Sequence, residues 1–153
     1  MRLIAVLWGC NMDKKYSEFI GSIDLVDIYL VSTQYKRLGY PDPENFPKFT
    51  ADFHPGKATS KHKDNFLEIN QEIKFTMEEV SEDEKTKRKV FELKAKYSIL
   101  YHTTMDADGD LLEMFQKRNV PLNLHPFARE LIQGAMAKTG LPPFTLPVLK
   151  IKK

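Results

Sequence analysis

The chain has 153 residues, 42% of them hydrophobic, which suits one domain with a modest core. Its 23 basic and 21 acidic residues give a formal charge of +2, too balanced to indicate a nucleic-acid-binding surface without clustering on one face. No apolar run approaches the roughly 20 residues that cross a bilayer, and one cysteine, Cys10, excludes an internal disulfide framework. We therefore expect a soluble, cytoplasmic protein without membrane insertion.

Residues 1–22 predict an N-terminal extension followed by a short helix. Residues 1–10 superficially resemble a secretion signal that ends in a lipid-acceptor cysteine. Their apolar part is shorter than the roughly 7 to 15 residues typical of such a region, which argues against lipidation. Met12 is an equally plausible start, and the sequence leaves both starts open. Residues 13–21 can form one or two helical turns with an apolar face of Tyr16, Phe19 and Ile20.

The stretch from Ile23 to Leu38 predicts the first long strand, because it is rich in β-branched and aromatic residues and contains neither Gly nor Pro. Its apolar residues fall on both faces, which predicts burial of one face by the domain itself and of part of the other by a neighbouring subunit. These residues are Leu25, Val26, Ile28, Leu30 and Val31.

The stretch from Gly39 to Lys63 contains four prolines and two glycines, which predict a long loop without regular structure. A loop of that length is usually functional or disordered, and disordered loops are usually poor in aromatic residues. Four aromatic side chains therefore indicate that this loop packs on something, either its own core or a bound chain: Tyr40, Phe46, Phe49 and Phe53.

Residues 65–79 and 90–102 alternate apolar and polar side chains and predict two half-exposed antiparallel strands joined by the charged turn at residues 81–89. Three acids at residues 106–110 resemble a calcium loop, but the required glycine and glutamate positions do not match. The acids instead predict a helix start ahead of Leu111.

A second helix of about sixteen residues is predicted from Asn123, with Pro126 in its first turn and Gly140 closing it. A last, proline-marked strand is predicted at residues 143–149, at an edge or against a neighbour that does not need its amides. The apolar side of the helix comprises Leu124, Ala128, Leu131, Ile132, Ala135, Met136 and Thr139.

The residues that enzyme chemistry requires do not cluster in this sequence. Its four histidines are scattered, and no phosphate-binding glycine loop, serine elbow or metal-ligand spacing is present. We therefore expect no cofactor, no metal and no enzymatic activity.

The run Leu-His-Pro-Phe-Ala-Arg-Glu-Leu-Ile at residues 124–132, followed by Gly-Leu-Pro-Pro-Phe-Thr-Leu-Pro at residues 140–147, closely resembles the main helix and final strand of SecB-type protein-export chaperones. The match is specific over residues 120–149, and upstream only the order of elements supports it. That order indicates an α+β fold with a four-stranded antiparallel sheet, a long crossover loop and one long helix. Residues 23–153 would form the SecB-like domain.

The resemblance implies an ATP-independent chaperone that binds unfolded or preprotein chains and keeps them competent for export. Two protomers would join their sheets, and two such dimers would sandwich their helices into a homotetramer. The implied oligomer contact uses small and apolar helix residues: Ala128, Ile132, Ala135 and Met136. The implied client-binding residues are Tyr40, Phe46, Phe49, Phe53, Phe127 and Leu131.

The sequence departs from the family in two ways that bear on its partner. The family's C-terminal helix and tail, which engage the SecA motor, are not matched after residue 149, and the family is generally acidic whereas this chain is slightly basic. SecA is therefore a doubtful partner, and a chaperone dedicated to an antitoxin is the alternative. From a different class, a nucleic-acid-binding sheet would use Lys74, Lys94 and Lys96, but neighbouring glutamates dilute their charge.

Overall fold

A computed structural model describes residues 13–42, 44–46, 48–107 and 109–149. The expectations for residues 1–10 and for a start at Met12 lie outside these ranges. In chain order the elements are helix α1 (residues 13–22), strands β1 (Ile23–Arg37), β2 (Lys48–Lys63), β3 (Phe66–Val80) and β4 (Lys87–Thr103), and helices α2 (Gly109–Arg118) and α3 (Val120–Lys138).

The four strands form one antiparallel sheet in the order β1-β4-β3-β2. Strands β2, β3 and β4 follow one another as a meander, whereas β1 lies at the far edge beside β4. The connection from β1 to β2, residues 38–47, therefore crosses from one edge of the sheet to the other. The predicted α+β class, with a four-stranded antiparallel sheet, a crossover loop and one long helix, is confirmed.

The predicted loop at residues 39–63 is wrong over its second half, which forms strand β2. Proline and glycine are tolerated there because β2 is an edge strand and its register shifts between Pro55 and Ala58. The buried Gln71 amide fastens this bulge by donating to the carbonyl oxygens of Gly56 (3.0 Å) and Glu72 (2.8 Å). A Cβ on Gly56 would lie 3.0 Å from the Glu72 Cβ, so a larger residue at the bulge would crowd β3.

The predicted last strand at residues 143–149 is also wrong, because no strand forms after α3 in the described part of the chain. Its prolines have no N–H group to donate to a neighbouring strand, so the segment cannot complete a ladder. It nevertheless packs on the core through Leu141 and Leu146, each 5% exposed.

The sheet has an apolar inner face and a polar outer face, as the alternation of β3 and β4 predicts. The three helices cover the inner face, and the ring of Phe19 on α1 packs edge-on against Phe115 on α2, with centroids 5.5 Å apart. The strand residues of this core are Leu67, Ile69, Ile73, Phe75, Met77, Phe91, Leu93, Ala95, Tyr97, Ile99 and Tyr101.

Helix α3 begins at Val120, three residues before the predicted start at Asn123. Pro121 rather than Pro126 occupies the first turn, and the Asn123 side chain donates to the Tyr101 hydroxyl at 3.0 Å instead of capping the helix. The predicted closing glycine is confirmed, since Gly140 has a φ of 68°, a left-handed conformation that favours glycine.

The predicted oligomer contact on α3 lies within the core of the protomer itself. Its four residues are 0–3% exposed within the single chain and pack in the core with the inner face of the sheet. A side chain without exposed area has none to offer a second subunit. The small residues instead allow α3 to lie close to its own sheet; they are Ala128 and Ala135, with Ile132 and Met136 beside them.

Alkaline pH should destabilise this core through two tyrosines. Burial raises the pKa of Tyr101 to about 12, and burial, followed by the negative charge of Glu130, raises the pKa of Tyr97 to about 12. The folded state therefore keeps protons that the unfolded chain releases near pH 10, so stability is intact below pH 10 and is lost as pH rises from 10 to 12. Urea midpoints measured from pH 8 to 12 should show this fall, Tyr101→Phe should lessen it, and exposed Tyr40→Phe should not.

Candidate functional site

Strand β1 exposes apolar side chains on both faces. Five of its side chains are 40–52% exposed, and its register against β4 shifts after Leu25 and after Leu30. Each shift leaves one valine as the extra residue of a bulge, Val26 and Val31. Among the residues that the structure describes, β1 pairs with β4 alone, so its other backbone edge has no partner strand among them.

A groove of about 570 Å³ runs between β1 and α3. Phe127, which is 40% exposed, and the partly buried Leu131 form its α3 side, and the Tyr97 hydroxyl donates to the Phe127 carbonyl at 3.2 Å. A Cβ added to Gly134 would meet nothing within 4 Å, so the helix backbone is open to close approach there. We call this the β1–α3 groove; its lining includes Leu30, Tyr35, Phe127, Glu130, Leu131, Gly134 and Lys138.

The crossover loop is anchored to the sheet by a partly buried ion pair. Glu79 is fully buried; its Oε1 accepts a hydrogen bond from the Asp42 amide at 2.8 Å, and its Oε2 pairs with Arg88. Arg88 also donates to the Tyr40 carbonyl at 2.8 Å, and its guanidinium lies 4.7 Å from the centroid of the Phe46 ring. One carboxylate and one guanidinium therefore fix three points of the loop.

Arg37 anchors the start of the same loop. Its Nε donates to the Gly39 carbonyl at 3.0 Å, and its Nη1 donates to the Thr139 carbonyl at the end of α3 at 2.6 Å. The guanidinium also lies 4.4 Å from the centroid of the Tyr40 ring, whose residue is 79% exposed. The two loop rings thus rest on arginines rather than in the core.

The remaining predicted aromatics lie on the inner face of edge strand β2. Phe53 is partly buried opposite Phe75, and Phe49 is 37% exposed opposite Glu79. Because Glu79 pairs with Arg88, Phe49 lies beside the anchor that holds Tyr40 and Phe46. We call these four residues the loop–β2 surface: Tyr40, Phe46, Phe49 and Phe53.

The structure therefore divides the six predicted client-binding residues between two surfaces. Four belong to the loop–β2 surface, which extends from Tyr40 beside Arg37 of β1 to Phe53 on β2. Phe127 and Leu131 line the β1–α3 groove. Sequence reasoning missed the residues that build the first surface, Arg37, Glu79 and Arg88. Arg37 directly precedes the aromatic-rich loop in sequence, and a single charge there is too common to be a signal. Glu79 and Arg88 are distant from the loop in sequence and gave no signal.

The outer face of the sheet is polar, with its charges interleaved. Lys94 pairs with Glu92 at 3.8 Å, and Lys89 pairs with the same carboxylate at 3.5 Å. The nearby lysines lower the pKa of Glu92, although partial burial opposes the shift. Within the described ranges, no group of three His, Cys, Asp or Glu residues could hold a metal ion, and no helix is long and apolar enough to span a membrane.

Comparison with known proteins relates the chain to solved structures. No protein-family model and no curated protein matches it. A SecB-like chaperone of Mycobacterium tuberculosis, in complex with a ChAD peptide from the HigA1 antitoxin, superposes with a TM-score of 0.75 and 15% identity, over 91% of this chain and 99% of the other. A protein of unknown function from Streptococcus agalactiae gives a TM-score of 0.49 and 13% identity, over 82% and 97%. The first likeness shows that the chain has the SecB-like fold.

Proposed function

We propose that this chain, which has the SecB-like fold, is an ATP-independent cytoplasmic chaperone that binds unfolded polypeptide through exposed apolar surface. The observation that carries the proposal is the superposition on a SecB-like chaperone over nearly the whole of both chains. Support comes from twelve large hydrophobic side chains that are at least 37% exposed, among them Leu30, Phe49 and Phe127. Five of the twelve lie on β1, and exposed apolar side chains grouped in this way mark sites of protein interaction.

Two client classes fit this proposal. The main one is the unfolded or preprotein chain of protein export, with SecA as a possible recipient. The alternative is a dedicated antitoxin client, which is favoured by the antitoxin peptide bound to the Mycobacterium tuberculosis chaperone. Both clients present an extended apolar segment, so the same surface would serve either.

The experiment that tests the proposal is light scattering of the purified chain, alone and with a permanently unfolded polypeptide. We expect complexes with the unfolded polypeptide and none with its folded counterpart or with single-stranded nucleic acid. Indifference to unfolded protein would refute the chaperone function, and binding of the nucleic acid would favour the alternative built on Lys74, Lys94 and Lys96. If an antitoxin peptide binds far more tightly than a generic unfolded chain, the result favours an antitoxin as the dedicated client.

The loop–β2 surface is the proposed client contact. Aromatic side chains there supply contact area at low entropic cost, because they are held on arginines or against Phe75. We expect Phe49→Ser to weaken binding of an unfolded chain by about tenfold, in line with the roughly 1 to 2 kcal/mol of a truncated interface aromatic. The matched control is Phe66→Ser on the polar outer face, where Phe66 is 46% exposed. Equal effects of the two substitutions on the dissociation constant would contradict this placement.

Self-association is proposed to use β1 and the groove beside it. The two sheet edges differ, because β2 carries Pro55, a bulge and several lysines, which protect an edge, whereas β1 presents exposed Leu, Val and Tyr. Antiparallel pairing of two β1 strands about Leu30 would also set Asp24 near the partner's Lys36. A second copy of the chain therefore fits this edge by both apolar area and charge.

Gly134 offers a direct test of close approach in the β1–α3 groove. Gly134→Ala should stabilise the isolated protomer by up to about 1 kcal/mol, because glycine is unfavourable inside a helix. The new methyl group would occupy the space left for a partner, so the dimer dissociation constant should rise several-fold. Gly21→Ala is the matched control, since a Cβ there also meets nothing within 4 Å but lies on α1. If Gly134→Ala does not change the dimer dissociation constant, the groove is not part of the interface.

A further inference from the structure

The segment after α3, residues 141–149, crosses the inner face of the sheet; we call it the strap. It starts beside β1, where a Cβ on Gly140 would lie 3.4 Å from the Arg37 Nη1 atom. It reaches β3, where the rings of Phe144 and Phe75 lie 5.5 Å apart between centroids. Phe144 is partly buried and Leu146 is buried, while the intervening Thr145 is exposed. This two-residue period is that of an extended chain.

The Leu141 amide donates to the Met136 carbonyl at 3.3 Å, and beyond this bond the strap is held by side chains. Prolines occupy positions 142, 143 and 147 and have no N–H group. Among the residues that the structure describes, no backbone amide of residues 142–149 donates a hydrogen bond. An unpaired extended segment with two buried apolar side chains can leave without breaking any helix or strand.

The surface beneath the strap continues into the loop–β2 surface. Phe75, which Phe144 contacts, is the cross-strand neighbour of Phe53 on β2. Beyond Phe53, the inner-face residues Ala51 and Phe49 of β2 are exposed. An extended chain lying where the strap lies would therefore find further aromatic contacts along the same face.

We infer that the strap occupies the anchoring site for clients and is displaced by them. The recognised segment is an extended peptide with an aromatic and an aliphatic side chain two residues apart, flanked by positions that tolerate proline. The client ring replaces Phe144 on Phe75, and its aliphatic side chain replaces Leu146. Between clients the strap covers the apolar site. This inference rests on the proposed chaperone function and specifies its substrate class.

The test measures binding to the full chain and to its Phe144→Ser/Leu146→Ser variant by fluorescence anisotropy. Two labelled probes are used: a permanently unfolded polypeptide and a synthetic peptide of residues 141–149. We expect each to bind the variant at least tenfold more tightly than the unchanged chain. The same peptide with serine in place of its Phe and the following Leu should bind at least tenfold more weakly. Val148→Ser, at a 71% exposed strap position, is the matched control and should change neither affinity.

Circular dichroism verifies that the Phe144→Ser/Leu146→Ser variant is folded. If the folded variant binds the peptide no more tightly than the unchanged chain, the inference is overturned. If the variant does not fold, displacement of the strap is measured with a nitroxide spin label on Thr145→Cys in a Cys10→Ser chain. Thr145 suits the label because it is exposed. Excess peptide should increase the mobility of that label, and an unchanged spectrum at saturation would exclude displacement. Peptide binding without any binding of the unfolded polypeptide would refute the chaperone function and retain the anchoring site.

Discussion

Arg88→Ala should destabilise the fold by about 2 to 3 kcal/mol, at or just below the lower end of the roughly 3 to 5 kcal/mol for breaking a fully buried ion pair. The substitution leaves the Glu79 carboxylate, which is fully buried, with a single hydrogen-bond donor, the Asp42 amide. It also releases the Tyr40 carbonyl and the Phe46 ring, so the crossover loop loses its central attachment. The Arg88 side chain is 42% exposed, and solvent screening keeps the effect below that of a wholly buried pair.

Urea unfolding measures the effect of Arg88→Ala, and two further variants identify its cause. Glu79→Gln in the Arg88→Ala background should recover part of the loss, because it removes the uncompensated charge while keeping the acceptor for the Asp42 amide. Lys48→Ala is the control, since its pair with Glu84 has both side chains more than 60% exposed and should contribute less than about 0.5 kcal/mol. Equal losses of unfolding free energy for Arg88→Ala and Lys48→Ala would show that the Glu79–Arg88 pair contributes no more to stability than an exposed ion pair.

Val31→Lys should convert the dimer proposed through β1 into a monomer of 17.7 kDa at micromolar concentration. Val31 is a bulge residue that is 50% exposed on β1, whose outer edge has no partner strand among the described residues. In a two-fold symmetric dimer each protomer brings one new lysine into the interface, where apolar residues exclude water from it. The dimer dissociation constant should therefore rise at least a hundredfold. Sedimentation velocity over a concentration series measures the change. The control is Val148→Lys, at a 71% exposed apolar position outside β1.

A charge exchange tests the register of the proposed β1 pairing. Asp24→Lys alone should weaken the dimer by a few-fold, because like charges opposite one another are destabilising. Adding Lys36→Asp in the same chain should restore the dimer, since the partner's position 36 then carries the complementary charge. A double variant as weak as the single variant would exclude pairing centred near Leu30.

Residue patterns predicted the regular core of this fold well. The strict alternation in β3 and β4 correctly assigned which side chains are buried, because those strands are central and covered on one face. Composition misassigned β2 as loop, since an edge strand with a bulge accepts Pro55 and Gly56 without losing its other pairs. Conversely, residues 143–149 look like a strand in composition but have too few amides to pair.

The candidate surfaces were harder to predict, because the burial of an apolar residue depends on which element of the fold it packs against. On the apolar side of α3, some residues, such as Ala128, pack against the sheet, and others, such as Phe127, line the groove. The spacing of apolar residues along the sequence does not distinguish the two groups. The rings of the loop aromatics Tyr40 and Phe46 lie against arginines. One support, Arg37, directly precedes the loop in sequence. The other, Arg88, comes from β4, which only the sheet order brings to the loop.

The bulge that Gln71 fastens in β2 also bears on how large an assembly can grow. A sheet with two pairing-competent edges can add copies at both ends and polymerise without limit. Here the proline, the bulge and the lysines of β2 prevent continuation at one edge. Pairing through β1 then consumes the competent edges of both protomers, so the continuous sheet would close at eight strands and the protein would not form fibres.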